Sequence, residues 1–417
     1  MDNRMARPIF VVGSPRSGTS ILTWALGQHP NILVTEESDW IGPFAVQAAA
    51  HHATGSARGE RSQLSALGID RAELLHAFGA TIDRQILHHR ESLERRKHDS
   101  AQRNGDNASP EFAIARAAEE PKARWVDGTP EYSLHIAGLL ALFPAAKFVH
   151  ILRDADEVVA SLLVFLQDDG TRLVADADEA YAYWLRRAAA CVAAERALGA
   201  AIVHRVRHAD LAADPEPALR GILEFLGEPF APACLEPLRR RINSSFADES
   251  VPRARPQTSS KAIAQARELS ARWLASGQAV TAEAEAKAQF DADFEERVRY
   301  ALRLPSEYRA MQNVLEKLEV EMRAQGSGVA SAAEALETKR AALKRTRRAL
   351  TVSGVLLFAL WLTTLAEWRW PDRIAASCSL AVATFGVLIY AWWRRAGLRA
   401  VWRRLLGKNE TKAKEPQ

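Results

Sequence analysis

The chain has 417 residues, 48% hydrophobic and 25% charged, with 55 Lys and Arg against 51 Asp and Glu for a net charge of +4. This composition excludes a disordered or fibrous protein and leaves room for two or three domains at roughly 150 residues each. Lys339 to Gln417 hold 16 basic and 4 acidic residues, leaving 39 basic and 47 acidic in the first 338, which excludes a generally basic nucleic-acid-binding body.

Met1 to Arg7 is polar and leads directly into Pro8–Val12, an apolar run too short for a secretory signal, which reads as a buried strand. Gly13 to Ser20 (GSPRSGTS) is a loop of small residues, and Ile21 to Gln28 a helix stopped by His29-Pro30. Residues 40–122 carry helical patches without a clear plan, and Ala101–Pro110 reads as an exposed loop. Then follow a short strand at Trp125–Asp127, a helix from Glu131 to Leu142, a strand at Lys147–Leu152 and a helix at Asp156–Gln167. Ala201–Val206 is a strand, and Asp214-Pro215 supplies an N-cap and first-turn proline for a helix to Leu226, ended by Gly227 and Pro229. Strands alternating with helices of this length predict an α/β fold, a parallel sheet with helices on both faces.

From Ser306 the pattern changes. Tyr308, Met311, Leu315, Leu318 and Met322 form a heptad stripe. Gly326-Ser-Gly328 interrupts it, and an Ala- and charge-rich helix resumes to Arg348. Two readings stand: a stalk that pairs two copies into a homodimer, or an amphipathic helix folded back on its own chain. Ala349–Ala366 and Ile374–Trp393 are uncharged runs of 18 and 20 residues, against the about 20 apolar residues a spanning helix needs. Six basic residues lie in Lys339–Arg348 before the pair and six in Arg394–Lys408 after it, while the loop Glu367–Arg373 has no net charge. The positive-inside bias then puts both flanks in the cytoplasm, and basic flanks attract anionic membrane lipids. The expected organisation is a catalytic domain over 1–305, a stalk over 306–348, a transmembrane hairpin over 349–393 and a basic tail over 394–417. The expected location is the cell membrane, multi-pass, with both termini cytoplasmic.

The chemistry lies in the first loop. A strand, a small-residue loop and a helix N-terminus make an anion cradle from backbone amides. The spacing nearly matches a nucleotide-binding P-loop, but Thr19 stands where that motif needs Lys, and Arg16 offers the cation instead. This weighs against nucleotide hydrolysis. Arg153, at the end of the Lys147–Leu152 strand, offers a planar fork suited to a second phosphate. The three cysteines form no CxxC pair, and the adjacent pairs His51-His52 and His88-His89 lack metal-ligand spacing, so no metal is expected.

Four ordered stretches then resemble the sulfotransferases, particularly the branch with PRSGT[ST] found in tyrosylprotein and bacterial enzymes. They are VGSPRSGTS with QHP, WVDGTPEY (125–132), FPAAKFVHILRDADEVVASLL (143–163) and VRHADLAADPEPALRGILEFLGEPF (206–230). The resemblance implies sulfuryl transfer from 3′-phosphoadenosine 5′-phosphosulfate (PAPS) to an acceptor hydroxyl, with no metal. It assigns the 5′-phosphosulfate to Ser14, Pro15, Arg16, Ser17, Gly18, Thr19 and Ser20, and the 3′-phosphate to Arg153 and Ser161. Arg16 would also act on the transferring group. A carboxylate after the first helix resembles the branch's general base, which selects Glu37 with Glu36 as runner-up; His29 is expected to be structural. Two positions depart from the pattern. Gly128 stands where a Lys often serves, with Arg16, Lys122 or Arg124 as substitutes, and His208 replaces a Tyr. The acceptor is expected to be a glycan, lipid-linked or other membrane-proximal hydroxyl, with a protein tyrosine as alternative. Readings of other classes are an inactive membrane-anchored scaffold and a nucleotide kinase with a degenerate P-loop.

Overall fold

A computed structural model of the chain describes residues 6–93, 95, 122–167, 170–239, 260–325 and 336–344. Met1–Ala310 and Met311–Gln417 form two separate compact units. In the first, β1 (Ile9–Val12), β2 (Ile32–Val34), β3 (Arg124–Asp127), β4 (Lys147–Leu152) and β5 (Val203–Arg207) make one sheet in the order β2-β3-β1-β4-β5. Every neighbouring pair is parallel. The expected α/β class is therefore present, with a strand at Ile32–Val34 that sequence reading did not find.

Helices cover both faces, as a parallel sheet requires. Ile9 and Val11 pack with Leu22 and Leu26 of α1 (Thr19–Gly27) and with Leu219, Ile222 and Leu223 of the helix Pro215–Leu226. Phe10, of opposite pleat, meets Trp125 edge-on at 5.5 Å and stacks on Phe148 at 5.5 Å. Such ring pairs contribute about 0.5–1.5 kcal/mol each beyond their burial. Under β4, the helices Ala155–Leu162, Ala177–Leu198 and Lys261–Ala275 close a further cluster around Trp184 and Trp273.

Boundaries shift for local reasons. The helix expected at Asp156–Gln167 runs Ala155–Leu162, because the Asp154 carboxylate accepts from the amides of Asp156 and Glu157 and a bridge pairs Leu166 with Arg172. Asp214 does precede the helix Pro215–Leu226, but its side chain makes no capping bond. The expected helix from Glu131 splits into a 3-10 turn, Pro130–Leu134, and a helix, Ile136–Leu142. One helix, Ala284–Gln325, runs through Pro305, so the expected domain edge at 305 falls inside it. On it the heptad positions divide: Leu315 is buried, while Met311 and Leu318 are exposed. Among the described residues no helix is long and apolar enough to cross a membrane. The expected hairpin (349–393) and basic tail (394–417), like the loop at 101–110, lie outside the described residues.

A buried charge cluster lies where the helix Ala177–Leu198 meets β4 and β5. His150 of β4 lies 2.5 Å from the Glu195 carboxylate, and Arg205 of β5 donates to both Glu195 oxygens. Burial opposes the charge on His150, but Cys191 and Glu195 outweigh it and push its pKa up to about 10. Burial likewise disfavours ionised Glu195, yet His150 and Arg205 hold it below the ordinary value. The cluster fastens the helix Ala177–Leu198 to β4 and β5.

β1 and β4 are neighbours whose outgoing connections leave towards opposite edges of the sheet. That is a topological switch point, where open parallel sheets bind ligands beyond the strand ends. The loop after β1 and Arg153 after β4 both stand there.

Candidate active site

The loop after β1 is held tightly. The Gly13 amide donates to the Ser133 hydroxyl at 2.9 Å, and that hydroxyl donates back to the Gly13 carbonyl at 2.9 Å. A Cβ at Gly13 would sit 2.6 Å from the Ile151 carbonyl oxygen, so only glycine lets the loop lie on β4. Gly18, at φ 99°, starts α1, and no side chain caps that helix. The first-turn amides, which have no partner within a helix, are therefore left to the loop's concave side. Ser14, Ser17 and Thr19 are buried within the loop, and Pro15 and Ser20 are partly exposed.

Arg16 has a left-handed backbone (φ 72°), a conformation that costs a non-glycine residue about 1–2 kcal/mol. Three contacts hold it. Its carbonyl accepts from Arg153 Nη1 at 3.0 Å, its Nε donates to Ser161 Oγ at 3.0 Å, and its guanidinium lies 5.0 Å from the centre of the Phe165 ring. Arg153 is also paired with Glu157 at 2.9 Å. The fold thus brings Arg16, which the resemblance assigned to the 5′-phosphosulfate, together with Arg153 and Ser161, which it assigned to the 3′-phosphate. His208 lies against Gly18, where a Cβ would be 3.0 Å from its ring. Burial and the neighbouring Arg153 lower its pKa to about 4, so it is neutral at pH 7.

The carboxylate loop after β2 is pinned on both sides of Glu36 and Glu37. Before them, the Thr35 amide and hydroxyl both donate to the Val126 carbonyl, each at 3.0 Å. After them, the Ser38 amide donates to the Thr129 hydroxyl at 2.8 Å and the Ser38 hydroxyl to Asp127 at 2.7 Å. Asp127, buried at the end of β3, also accepts from the Thr129 amide and hydroxyl. Burial raises its pKa, against those hydrogen bonds. Tyr132 completes the network through Ser38 and the Ile41 amide. Sequence reading missed Ser38, Thr129, Tyr132 and Ser133 as positioning residues, although WVDGTPEY contains two of them.

Between the two loops lies a cleft of about 350 Å³ lined by Ser20, Thr23, Trp24, Thr35, Glu36 and Glu37. Gly128 completes its wall. A Cβ there would fall 2.1 Å from Thr23 Oγ1, whose hydroxyl donates to the Thr19 carbonyl at 2.9 Å. Thr23 occupies the space that a longer residue would need, so the absent lysine is a steric consequence of the threonine.

Two of the three substitutes considered for that lysine are excluded. Lys122 is buried at the opposite end of the sheet, where its Nζ donates to the carbonyls of Gly27, His29 and Ile32. Arg124 donates there to the carbonyls of Arg7 and Leu226 and pairs with Glu228 at 3.1 Å. Arg16 remains. His29 donates from Nε2 to the Pro229 carbonyl at 2.9 Å and accepts the Asn31 amide at Nδ1, so both ring nitrogens serve the fold. His52 bonds the Ile69 carbonyl, and His88 and His89 meet edge-on. No group of three or more His, Cys, Asp or Glu among the described residues could hold a metal ion.

The model of a sulfotransferase family matches residues 8–232. Solved structures similar to the chain include the sulfotransferase domain from the curacin biosynthetic pathway, at 18% identity over 70% of this chain and 99% of that one, TM-score 0.35. The sulfotransferase domain of the Synechococcus PCC 7002 olefin synthase is 21% identical over 72% of this chain and 96% of that one, TM-score 0.35. Sulfotransferase STF1 from Mycobacterium tuberculosis H37Rv is 19% identical over 57% and 72%, TM-score 0.32. No curated protein sequence matches significantly.

Proposed function

The chain belongs to the sulfotransferase family, and from that premise we propose that it transfers a sulfuryl group from PAPS to the hydroxyl of a membrane-proximal acceptor. The observation that carries this reading is the convergence of Ser161 and Arg153 on Arg16 of the loop after β1, the same loop that ends in Ser20, which lines the cleft with Glu36 and Glu37. A donor with two phosphate groups needs two linked anion sites, and the Arg16–Ser161 bond links them. The first-turn amides of α1 and Arg16 would take the phosphosulfate, and Arg153 with Ser161 the 3′-phosphate.

Sulfuryl transfer resembles phosphoryl transfer in relying on in-line positioning and electrostatic stabilisation. Glu37 takes the proton of the acceptor hydroxyl as its oxygen bonds to sulfur. The bond from sulfur to the phosphate oxygen breaks, and 3′-phosphoadenosine 5′-phosphate (PAP) leaves with charge stabilised by Arg16. The loop's rigid anchors at Thr35 and Ser38 support this role for Glu37.

The acceptor is a glycan or lipid-linked hydroxyl in this reading. The uncharged runs at 349–366 and 374–393 with their basic flanks would hold the enzyme in the cell membrane, both termini cytoplasmic, in contact with anionic lipids. Met311 and Leu318, the exposed members of the heptad stripe, support pairing with a second copy through the stalk. Isothermal titration of the full chain in detergent with PAP and with ATP tests the donor. Preferential PAP binding is expected; preference for ATP would mean a kinase, and binding of neither a scaffold.

A further inference from the structure

Outside the cleft, an apolar groove meets a cation. The turn Pro130–Leu134, whose Ser133 holds the loop after β1, leads into His135. His135, Val46 and Arg297 line two cavities and so stand where they join. The smaller, of about 70 Å³, reaches Ser133, Asp293 and Phe294. The larger, of about 430 Å³, is an open groove walled mostly by carbon. Pro43 and Val46 of the helix Ile41–Ser56 form one side, and Tyr300, Ala301 and Leu304 of the helix Ala284–Gln325 the other. Its volume is at the small end for ligand sites, which favours one aliphatic chain over two.

The charges at the junction do not cancel. Arg297 is half-buried and donates from Nη1 to the Leu134 carbonyl. Burial and Arg186, exposed on the helix Ala177–Leu198, both lower the pKa of Arg297. Neither arginine forms an ion pair among the described residues. Asp293 attracts Arg297 without pairing with it, and accepts from Gln289 at 2.7 Å. The other carboxylates nearby are engaged. Arg187 holds Glu131 at 2.6 Å, and Arg299 and Arg303 hold Glu296, on the rim of the groove, at 2.8 and 3.6 Å. His135 adds no charge: burial and Arg297 lower its pKa to about 4, and its Nδ1 is buried without a partner. Arg186 and Arg297 against Asp293 thus leave one positive charge beside carbon. A half-buried guanidinium without a counter-ion favours an anion, and its planar fork suits a carboxylate.

We propose that the groove binds a fatty acid, a single-chain amphiphile with one negative charge. Its carboxylate lies at Arg297, within the field of Arg186, and its chain runs along Pro43, Val46, Tyr300 and Leu304. A phosphate monoester carries up to two charges, and the second would face Asp293 uncompensated. The groove is lined by none of the residues of the cleft at Glu36 and Glu37. The inference goes beyond the donor and acceptor readings and does not rest on them.

The test is photocrosslinking of the full chain in a neutral maltoside detergent. Three diazirine probes of equal chain length are used: dodecanoic acid, dodecanol and dodecylamine. Mass spectrometry reads the label at residues 43–47 and 300–304 relative to the rest of the chain, which cancels partition into the micelle. The acid is expected to label these segments about tenfold more than the alcohol or the amine, and unlabelled dodecanoic acid to compete. Arg186→Glu changes an exposed residue, and Arg297→Gln keeps a donor for Leu134. Each should lower labelling by the acid about fivefold and leave the alcohol unchanged, while Arg297→Lys should retain it. A merely structural effect would move the alcohol as well. Equal labelling by the three probes, no label in the two segments, or acid labelling indifferent to both Arg186→Glu and Arg297→Gln would overturn the proposal.

Discussion

Arg16 and Ser161, 145 residues apart, are joined by a 3.0 Å hydrogen bond from the guanidinium to the hydroxyl. The bond ties the loop after β1 to the helix after β4 across the switch point of the sheet. Ser161→Ala should weaken PAP binding about five- to tenfold, the size of one neutral partner in a hydrogen bond. Arg16→Ala should weaken it about a hundredfold, since a charged donor is lost. The double variant should lose less than the sum, because both act through one contact. Isothermal titration measures all three, and strict additivity would show that the two residues do not work together.

Glu37→Gln keeps the shape of the carboxylate loop but removes its proton acceptor. Transfer of radiolabelled sulfate from PAPS to membrane acceptors should fall about 10²–10⁴-fold with PAP affinity unchanged. Glu36→Gln should retain transfer at saturating acceptor. If the two variants exchange these phenotypes, Glu36 is the base.

Gly128→Lys should not improve the enzyme, although it restores the residue more usual in this motif. Any Cβ at 128 overlaps Thr23 Oγ1, so Gly128→Ala should destabilise by about 1–3 kcal/mol, the ordinary cost of overpacking. Adding Thr23→Ala to Gly128→Ala should recover part of that loss. Thermal melts of the four proteins form a double-mutant cycle, and a zero coupling term would refute the steric account.

Pro8–Val12 and Lys147–Leu152 were legible because each is a mostly apolar run buried on both faces, and Ala201–Val206 because β-branched Ile202, Val203 and Val206 mark it, although His204 and Arg205 are only partly buried. β2 was not, since three residues, Ile32–Val34, are too few for a pattern. The helix Ala177–Leu198 escaped because its buried face mixes alanines with the charged Arg187 and Glu195 and so gives weak contrast. Arg16 and Arg153 were readable from the loop and strand-end pattern, while Ser161 and Glu37 entered only through the family resemblance. Ser38, Thr23 and Trp24 were not readable, because what matters there is which groups the fold brings across from β3, a relation absent from local sequence. Lys122 and Arg124 were misread as candidate cations near the chemistry, because position along a strand was not resolved into the two ends of the sheet.

Arg124 and Glu228 form a pair whose side chains are almost fully buried, with Asn31 also donating to the carboxylate. Glu228→Ala leaves a buried guanidinium without its counter-charge and should cost about 3–5 kcal/mol. The pair lies at the N-terminal end of the strands, away from the loops, so PAP affinity of the folded protein should not change. A large fall in melting temperature with intact binding is the expected outcome; intact stability would mean that the two carbonyl contacts of Arg124 suffice.

The cluster of His150, Glu195 and Arg205 predicts the alkaline limit of stability. The folded pKa of His150 is raised, from an unfolded 6.5 to about 10, by Cys191 and Glu195 against the effect of burial. Below pH 6.5 both states are protonated at this site, and its contribution is fully present. From 6.5 to about 10 the folded state holds the extra proton. Stability should therefore fall over that window, with a slope approaching about 1.4 kcal/mol per pH unit. His135 and His208 act in the opposite sense. Burial lowers both to about 4, so their contribution grows from there to 6.5 and is constant above it. Denaturant unfolding of the wild type should thus lose stability steadily above pH 6.5, and His150→Asn, less stable at pH 6, should lose the alkaline slope. A wild-type profile flat between pH 7 and 9 would mean that His150 is neutral in the folded protein and that Arg205 alone balances Glu195.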